Sequence, residues 1–329
     1  MSELRRDPVS HDWIINAPER SGRPDVVKAR RGRRRFPPRA SCVFEEANLK
    51  KTGQWRPIRA YPHLARWEAL VLPNKFPAVV HRNTCALMRE VGPYKLLDGI
   101  GQHDLVITRD HAKGFADVTL KKATDLLRCL QLHYRALAKD SCLFYTSTFL
   151  NWGRGAGASV AHPHYQVLTL PIVPPDVWHS LSGSARYMRK HRRCVHCAMI
   201  ADEEAEGSRI LKEDKHAVAF VPFVSRHPFE ARIFPRRHLS VFERTPLQDL
   251  QAVVGALQHT LKKIKKNLHD PDLNFFIHTA PLKHQNRFRH YHWHIEVVPA
   301  ITIGAGFELS TGVEINIIDP NRAAEVLRA

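Results

Sequence analysis

A histidine-x-histidine element occurs twice in the chain, and each copy closes the same order of features. His162-Pro163-His164 lies near the end of the first half, and His292-Trp293-His294 lies in the second. Each follows a cysteine-containing turn, two apolar strands, an amphipathic helix pattern and a further strand. Two series in the same order predict an internal duplication, so the fold must be built from two similar units.

The predicted elements of the two halves correspond one to one. Apolar spacing predicts a helix after Asp117, its expected N-cap, and another after Thr245 and Pro246. We expect strands at 68–73, 104–108 and 142–145 in the first half, and at 217–222, 231–238 and 274–278 in the second. The pattern predicts an α+β fold with two domains, residues 1–177 and 178–329.

The composition narrows the class of protein. With 43% hydrophobic and 25% charged residues, the chain is typical of globular proteins. No apolar run approaches the roughly 20 residues that span a bilayer, so we expect no membrane partner. The N-terminus lacks the apolar core of a signal peptide, which predicts a cytoplasmic location.

The formal net charge of +18 favours anionic partners. Much of the excess lies in the arginine-rich segment 28–35, which has no core periodicity. We interpret this segment as a solvated loop rather than a polyanion site, because such runs carry little sequence information. A nucleic-acid partner is therefore not expected.

Two sets of side chains have the composition of metal sites. Cys194 and Cys197 can place two thiolates on one cation, and zinc prefers four such ligands in a tetrahedron. The expected ligands are Cys194, Cys197, His238 and His292 in the second half, and Cys42, Glu45, His111 and His162 in the first.

Each metal set has a simpler alternative. The two cysteines of the second half could be packed free thiols, and Cys42 could merely pack beside a solvated Glu45. A carboxylate is a harder ligand than a thiolate, so the Glu45 site is expected to be weaker or differently selective. We expect zinc, with iron as the alternative at one site.

The stretch around His164 carries the candidate chemistry. In a strand, the two-residue period places His162, His164 and Gln166 on one face. Imidazole attacks phosphorus near neutral pH and leaves again readily, so His164 can carry a nucleotidyl group. Gln166 can donate to a phosphoryl oxygen, and glycines 153, 155 and 157 beside Ser159 let backbone amides approach phosphate. The alternative is a hydrogen-bonded structural histidine.

The second half differs from the first at one position of this face. Glu296 stands where the first half has Gln166. A carboxylate would repel an anionic phosphate, whereas an amide would bind it. We therefore expect one chemical half and one supporting half.

These residues give the chain a likeness to a known family. It resembles the galactose-1-phosphate uridylyltransferases, the duplicated branch of the histidine-triad superfamily, in their compact bacterial and archaeal type. The motifs that carry the likeness are Arg5-Arg6-Asp7-Pro8, 19–24, 72–78, Gly157-Ala158-Ser159, His162-Pro163-His164, Pro228-Phe229-Glu230, His292-Trp293-His294, 305–308 and Thr311-Gly312.

The resemblance implies a fold and a reaction. Each half would be an antiparallel sheet with a long packing helix. His164 would attack the α-phosphorus of a nucleotide sugar, release sugar 1-phosphate and pass the nucleotide, expected to be UMP, to a hexose 1-phosphate such as galactose 1-phosphate. Gln166 would bind the phosphoryl group. The implied metal set of the first half is Cys42, His111 and His162.

The resemblance also implies substrate contacts and a dimer. Phe307 and Glu308 match hexose contacts that a partner subunit supplies, so a homodimer is expected. The residues that match ribose and phosphate contacts are Arg20, Arg23, Asn74 with its neighbour Lys75, Asn151, Gly157 and Ser159.

Some positions depart from the family pattern, and two other functions are open. Glu45 replaces a cysteine, Tyr165 replaces a small residue with its side chain expected on the opposite face, and the basic segment is not a family feature. The same intermediate would also serve a nucleotide-sugar phosphorylase or an enzyme of adenine nucleotides. A nucleic-acid-binding protein with an inactive site is the alternative from another class.

Overall fold

The computed structural model describes residues 1–22 and 34–329. Predictions that fall on Arg23 and on residues 28–33 of the basic segment lie outside this range. The strands are β1 (Glu3–Arg6), β2 (Trp13–Asn16), β3 (Arg59–Tyr61), β4 (Ala69–Pro73), β5 (Met88–Val91), β6 (Tyr94–Leu97), β7 (Gln102–Thr108), β8 (Tyr145–Trp152), β9 (His164–Leu170), β10 (Ile210–Glu213), β11 (Ala217–Phe220), β12 (Ala231–Pro235), β13 (Leu273–His278), β14 (His294–Pro299) and β15 (Ile315–Asn316). The α-helices are α1 (Glu46–Lys51), α2 (Leu120–Leu137), α3 (Pro175–His191), α4 (Val195–Glu206), α5 (Leu247–Asn267), α6 (Gly306–Thr311) and α7 (Pro320–Arg328).

A ten-stranded antiparallel sheet forms the centre of the molecule, in the order β10-β11-β12-β14-β13-β8-β9-β7-β4-β3. Each half of the chain contributes five neighbouring strands, and each histidine-x-histidine element leads into an inner strand, β9 or β14. The strand order runs outward identically from the central β8·β13 pair. This confirms the predicted α+β fold of two tandem units, each an antiparallel sheet with a long packing helix.

The two units share one core. Strands β8 and β13 pair antiparallel, with Phe275 opposite Leu150, so the sheet continues without a break between the halves. A single cluster of buried apolar side chains includes Leu127 and Leu130 of α2 together with Leu257 and Leu261 of α5. Burying each such side chain contributes about 1.5–3 kcal/mol to the free energy of unfolding. The apolar faces of α2 and α5 therefore stabilise the sheet against which they pack.

Two buried glutamines, one on each long helix, make equivalent hydrogen bonds in the two halves. Gln131 of α2 donates to the carbonyls of Phe242 and Thr245, just before α5. Gln258 of α5 donates in the same way to the carbonyls of Phe115 and Val118, just before α2. Each helix therefore satisfies carbonyl groups in the segment that leads into the other helix, which is needed because these groups are removed from water.

Several predicted boundaries were wrong. Helix α2 begins at Leu120, and its N-cap is Thr119, whose side chain accepts from the Lys122 amide; Asp117 lies further upstream. The predicted strand at 142–145 starts only at Tyr145 and runs to Trp152. In both cases the local sequence pattern does not mark where the hydrogen-bonded element begins and ends.

The segment between the halves is helical. Helix α3 spans Pro175–His191 and contains the predicted division at residues 177 and 178, which stays a prediction. Cys194 is the residue before α4, and Cys197 lies in its first turn. In the described part of the chain, no helix is both long and apolar enough to cross a bilayer.

Two smaller features flank the main sheet. Strands β1, β2 and β15 form a separate sheet in which β15 runs parallel to β2. A disulfide joins Cys85 to Cys142, with Cα atoms 5.0 Å apart. It connects the segment before the exposed β5·β6 hairpin to the residues that precede β8.

Candidate functional site

His164 and Gln166 lie on one face of the inner strand β9, and the opposite face of that strand packs in the core. Tyr165, between them, is 1% exposed and packs against Phe115 and Phe275 in the core. The alternation of strand side chains explains this, and it places Tyr165 on the opposite face, as expected. His162 precedes the strand, and its ring faces Cys42 and His111 rather than sharing the surroundings of Gln166.

The ring of His164 is held in one tautomer. Its Nδ1 lies 2.9 Å from the carbonyl oxygen of His162, so Nδ1 carries the proton and donates it. Burial lowers the pKa of His164, although this hydrogen bond opposes the effect. The ring is therefore neutral near pH 7, with the lone pair on Nε2. A neutral imidazole with a free lone pair has the form required of a nucleophile.

A cavity of about 740 Å³ lies in front of this ring, and we call it the nucleophile cavity. Its size falls within the range of small-molecule sites. His164, Gln166, Asn74 and Lys75 line it, together with apolar side chains such as Phe44, whose ring centroid lies 5.1 Å from that of His164. With Ser159, which also lines it, the cavity brings together five of the predicted site residues.

A second cavity, also about 740 Å³, adjoins the first, and we call it the glycine cavity. Its lining includes Asn151, Gly153, Gly155 and Ser159, and Ser159 also lines the nucleophile cavity. The guanidinium-bearing residues Arg34, Arg35 and Arg154 lie at its walls. An elongated anionic ligand could therefore extend from one cavity to the other past Ser159.

The glycines serve a different purpose from the expected approach to phosphate. The amide of Gly155 donates to the carboxylate of Asp272 at 2.7 Å, and a Cβ at Gly153 would collide with the same carboxylate. Asp272 also pairs with Arg34 at 2.9 Å. Gly157 adopts a φ of +89°, which explains the need for glycine there, and its carbonyl lies 3.5 Å from Asn151 Nδ2.

The first predicted metal set comes together as a buried cluster. Cys42 Sγ lies 3.5 Å from His162 Nδ1, which lies 3.3 Å from His111 Nδ1. Both rings donate from Nε2 to carbonyl oxygens, His162 to Thr108 at 2.8 Å and His111 to Pro37 at 2.7 Å. Their Nδ1 atoms therefore carry lone pairs that face each other.

Facing lone pairs at this distance repel unless a cation lies between them. Burial lowers the pKa of His162 to about 4, so protonation does not relieve the repulsion near pH 7. The ligand atoms of Cys42, His111 and His162 lie within 4.8 Å of one another, whereas Glu45 is outside this group; one of its carboxylate oxygens lies 3.2 Å from His111 Nδ1 and 3.5 Å from Arg39 Nε. The donors present fit a divalent metal ion.

The second predicted set forms a matching cluster at the start of α4. Cys197 Sγ lies 3.2 Å from His238 Nδ1 and 3.5 Å from His292 Nδ1. The Nε2 atoms again donate to carbonyls, of Arg289 at 2.7 Å and Pro235 at 2.9 Å. Hydrogen bonds from Cys197 and nearby histidines lower the pKa of Cys194, which favours a thiolate. The ligand atoms of Cys194, Cys197, His238 and His292 lie within 4.8 Å of one another.

The second half has a counterpart of the His164 site in which the imidazole is stacked on aromatic rings. His294 is 4% exposed and stacks on Phe234 and His278. Burial opposes ionisation of Glu296, yet Arg232 and His278 lower the pKa of this carboxyl to about 2. The Arg232 guanidinium lies 3.4 Å from Glu296 and 2.9 Å from Glu230. The carboxylate is thus occupied by an internal ion pair, which agrees with a supporting role.

Some predicted site residues lie elsewhere. Arg20 is exposed in the short helix Pro18–Gly22, and Arg23 is not described. Phe307 and Glu308 lie on α6, and neither lines the nucleophile cavity or the glycine cavity.

Sequence reasoning missed two residues beside the site. His103 contacts Gln166, and it directly precedes the predicted strand 104–108, so extending that strand by one residue would have found it. Asn274 donates to Asn151 Oδ1 at 2.9 Å across the β8·β13 pair. That pairing joins the two halves, and no local pattern indicates it.

Comparison with known proteins gives consistent matches over the whole chain. A family model described as HIT domain matches residues 203–298. The chain is 33% identical to ADP-glucose phosphorylase of Arabidopsis thaliana, over 99% of this chain and 92% of that protein. It is 24% identical to galactose-1-phosphate uridylyltransferase of Thermotoga maritima, over 100% and 98%. A crystal structure of an Arabidopsis thaliana ADP-glucose phosphorylase with bound ADP-glucose matches with a TM-score of 0.83 and 30% identity, covering 100% of this chain and 98% of that chain.

Proposed function

Since the chain belongs to the galactose-1-phosphate uridylyltransferase family, we propose that it transfers a nucleoside monophosphate from a nucleotide sugar through a covalent intermediate on His164. The enzyme is a nucleotidyltransferase acting on sugar phosphates, as its relatives' names indicate. The observation that carries the proposal is the free Nε2 lone pair of His164 at the wall of the nucleophile cavity.

The reaction proceeds in two balanced steps. In the first, His164 Nε2 forms a bond to the α-phosphorus while the bond from that phosphorus to the bridging oxygen breaks, and sugar 1-phosphate leaves. In the second, an oxygen of the acceptor attacks the same phosphorus and the bond to Nε2 breaks. The hydrogen bond from Nδ1 to the His162 carbonyl stabilises the positive charge that develops on the ring.

The two cavities suit an elongated nucleotide sugar. Gln166 and Ser159 lie where the diphosphate would pass from the nucleophile cavity to the glycine cavity. Asn74 and Lys75 would contact the nucleotide on one side, and Asn151, held by Asn274, would contact the diphosphate on the other. Gly157 supports Asn151 through its carbonyl.

For the donor and acceptor we favour ADP-glucose and inorganic phosphate, which would yield glucose 1-phosphate and ADP. The support is the 33% identity to an ADP-glucose phosphorylase, against 24% to a uridylyltransferase. This choice reverses the order that the sequence alone suggested. Transfer of UMP to galactose 1-phosphate is the second candidate, supported by the matched motifs and the full-length alignment.

Zinc is the metal we propose for both clusters, and bound zinc would supply a structural cross-link between distant segments. In the first half, Cys42, His111 and His162, whose ligand atoms cluster, would hold it together with the proposed fourth ligand Glu45 beside His111. This would fix His162, whose carbonyl orients His164. The carboxylate of Glu45 leaves iron as an alternative there. In the second half, Cys194, Cys197, His238 and His292 would hold zinc.

We also propose a cytoplasmic homodimer. Phe307 is 46% exposed, and Glu308 is half-buried beside it on α6. Neither residue lines the nucleophile cavity or the glycine cavity of its own chain, which supports a role toward a partner subunit's substrate. We propose phosphate contacts for Arg20 and Arg23 because they match the basic pair of the family motif at 19–24. Residues 28–33 of the basic segment lie outside the described residues. Arg34, whose side chain is 8% exposed, pairs with Asp272 and lines the glycine cavity, so the prediction of a solvated loop is wrong for Arg34.

A radiolabel chase tests the reaction. Protein is incubated with ADP-glucose or UDP-glucose labelled at the α-phosphorus, freed of nucleotide, and then given phosphate or galactose 1-phosphate. We expect an acid-labile adduct from ADP-glucose and release of labelled ADP with phosphate. Labelled UDP-galactose from UDP-glucose would favour the second candidate. Absence of an adduct from both donors would exclude the covalent mechanism.

A further inference from the structure

We infer that His103 is a positioning residue for this reaction, because it orients the side-chain amide of Gln166 toward the transferred phosphoryl group. The inference rests on the proposed function, since it concerns how the same site holds the nucleotide. Gln166 and His103 are 63 residues apart in the chain. Their contact depends on the pairing of two strands.

Strand geometry brings the two side chains to the same face of the sheet. Strands β7 and β9 pair antiparallel, with Leu105 opposite Gln166 and His103 opposite Leu168. His103 and Gln166 are thus diagonal neighbours, a spacing that long side chains can bridge. Both line the nucleophile cavity beside His164.

The proton on the His103 ring is assigned by a backbone contact. The amide of Ala78 donates to His103 Nδ1 at 3.0 Å, so Nδ1 is unprotonated. The single proton of the neutral ring therefore lies on Nε2, which is 3.0 Å from Gln166 Oε1. The His103 ring therefore donates from Nε2 to Gln166, and the amide oxygen of Gln166 accepts this hydrogen bond.

A neighbouring amide supports this assignment. Asn74 Nδ2 lies 3.1 Å from the same Nε2 atom, but it is a donor and cannot take the proton. The oxygen of Asn74 is already used, since it accepts from the Phe76 amide at 3.0 Å. Gln166 Oε1 is therefore the acceptor, and the NH₂ groups of Gln166 and Asn74 are left for a ligand.

The orientation matters because the two ends of an amide act oppositely on an anion. With Oε1 held by His103, Gln166 presents its NH₂ group, which can donate to a phosphoryl oxygen. If the amide turned by half a rotation, Oε1 would face the phosphoryl oxygens and repel them. Losing a hydrogen bond to a charged group corresponds to about a 10- to 100-fold slower nucleotidylation.

A double-mutant cycle tests the inference on the full-length protein. The rate of adduct formation is measured by rapid quench with labelled ADP-glucose for wild type, His103→Phe, Gln166→Ala and the double variant. His103→Gln is included as the conservative variant, because its amide can again donate to Gln166. The exposed His81 provides a matched control through His81→Phe. Thermal denaturation of each variant verifies folding.

We expect His103→Phe to slow nucleotidylation at saturating ADP-glucose by about 10- to 100-fold in wild type, but by less than about twofold when Gln166 is alanine. His103→Gln should restore most of the rate, and His81→Phe should match wild type. An unchanged rate in His103→Phe, or an equal loss in both backgrounds, overturns the inference alone. A wild-type protein without an adduct overturns the proposed function and this inference with it.

Discussion

Replacing Arg232 by methionine should destabilise the protein strongly while leaving the chemical centre intact. The Arg232 side chain is 6% exposed and lies 2.9 Å from Glu230, 3.4 Å from Glu296 and 3.9 Å from Asp7. These three carboxylates are themselves buried. The substitution removes the only guanidinium paired with Glu230 and Glu296 within the described residues, and leaves His278, 3.4 Å from Glu296, as the remaining paired side chain of that carboxylate.

The magnitude follows from the protonation of Glu296. Its usual pKa is 4.5, and neutralising such a carboxyl at pH 7 costs about 1.4 kcal/mol per pH unit, or roughly 3.4 kcal/mol. Breaking a buried ion pair costs about 3–5 kcal/mol, which agrees. We therefore expect the free energy of unfolding of Arg232→Met at pH 7 to fall by about 3–5 kcal/mol.

The pH dependence should change sign between the two proteins. In wild type the depressed pKa of Glu296, about 2, contributes stability that is present above pH 4.5 and is lost as the pH falls toward 2. In the variant the pKa rises above 4.5, so the folded state binds the proton more tightly. The variant should thus regain stability, relative to wild type, as the pH falls from 7 toward 5.

Urea denaturation followed by circular dichroism at several pH values measures both effects. The matched control is Arg322→Met, which removes an exposed pair with Glu325 and should cost less than about 1 kcal/mol. The folded fraction of Arg232→Met should still form the nucleotidyl adduct. A loss below about 1 kcal/mol at pH 7, or a loss that does not shrink toward pH 5, would refute the reasoning.

Other parts of the molecule permit further predictions. Cys197→Ser should lower the zinc content by one ion per chain in elemental analysis, whereas unchanged zinc would contradict the second metal site. Gly183→Ala places a methyl group against the Val9 carbonyl and should lower the thermal midpoint, whereas Gly255→Ala, whose Cβ would meet only Leu120 Cδ1 at 3.9 Å, should not; equal midpoints would be inconsistent with the packing. Burial raises the pKa of Cys129 to about 12, so native protein should leave it unalkylated by iodoacetamide at pH 8; stoichiometric modification before unfolding would disprove this.

Features encoded by neighbouring residues were predictable from the sequence. The apolar spacing indicated α2 and α5, and the alternation along β9 placed Tyr165 opposite His164 and Gln166. The repeated order of features indicated two units. Cys194 and Cys197 could be predicted as two ligands of one metal ion, because a spacing of three residues places both side chains at the start of one helix.

Features that depend on distant pairing were not predictable. The β8·β13 pair merges the halves into one sheet, and many other pairings would satisfy the same apolar pattern. The contact of His103 with Gln166 depends on the register of β7 against β9. The hydrogen bond from the Gly155 amide to Asp272 and the ion pair between Arg232 and Glu296 likewise join residues whose contact no local sequence pattern indicates.

The most direct test of the proposed mechanism is the intact mass of the protein after brief exposure to ADP-glucose, followed by peptide mapping. The mechanism predicts a mass increase of one nucleoside monophosphate on wild type, located on His164 and discharged by phosphate. His164→Asn should show no increase, although it binds the sugar nucleotide. A stable adduct on another residue, or turnover of ADP-glucose by His164→Asn, would contradict the assignment of His164 as the nucleophile.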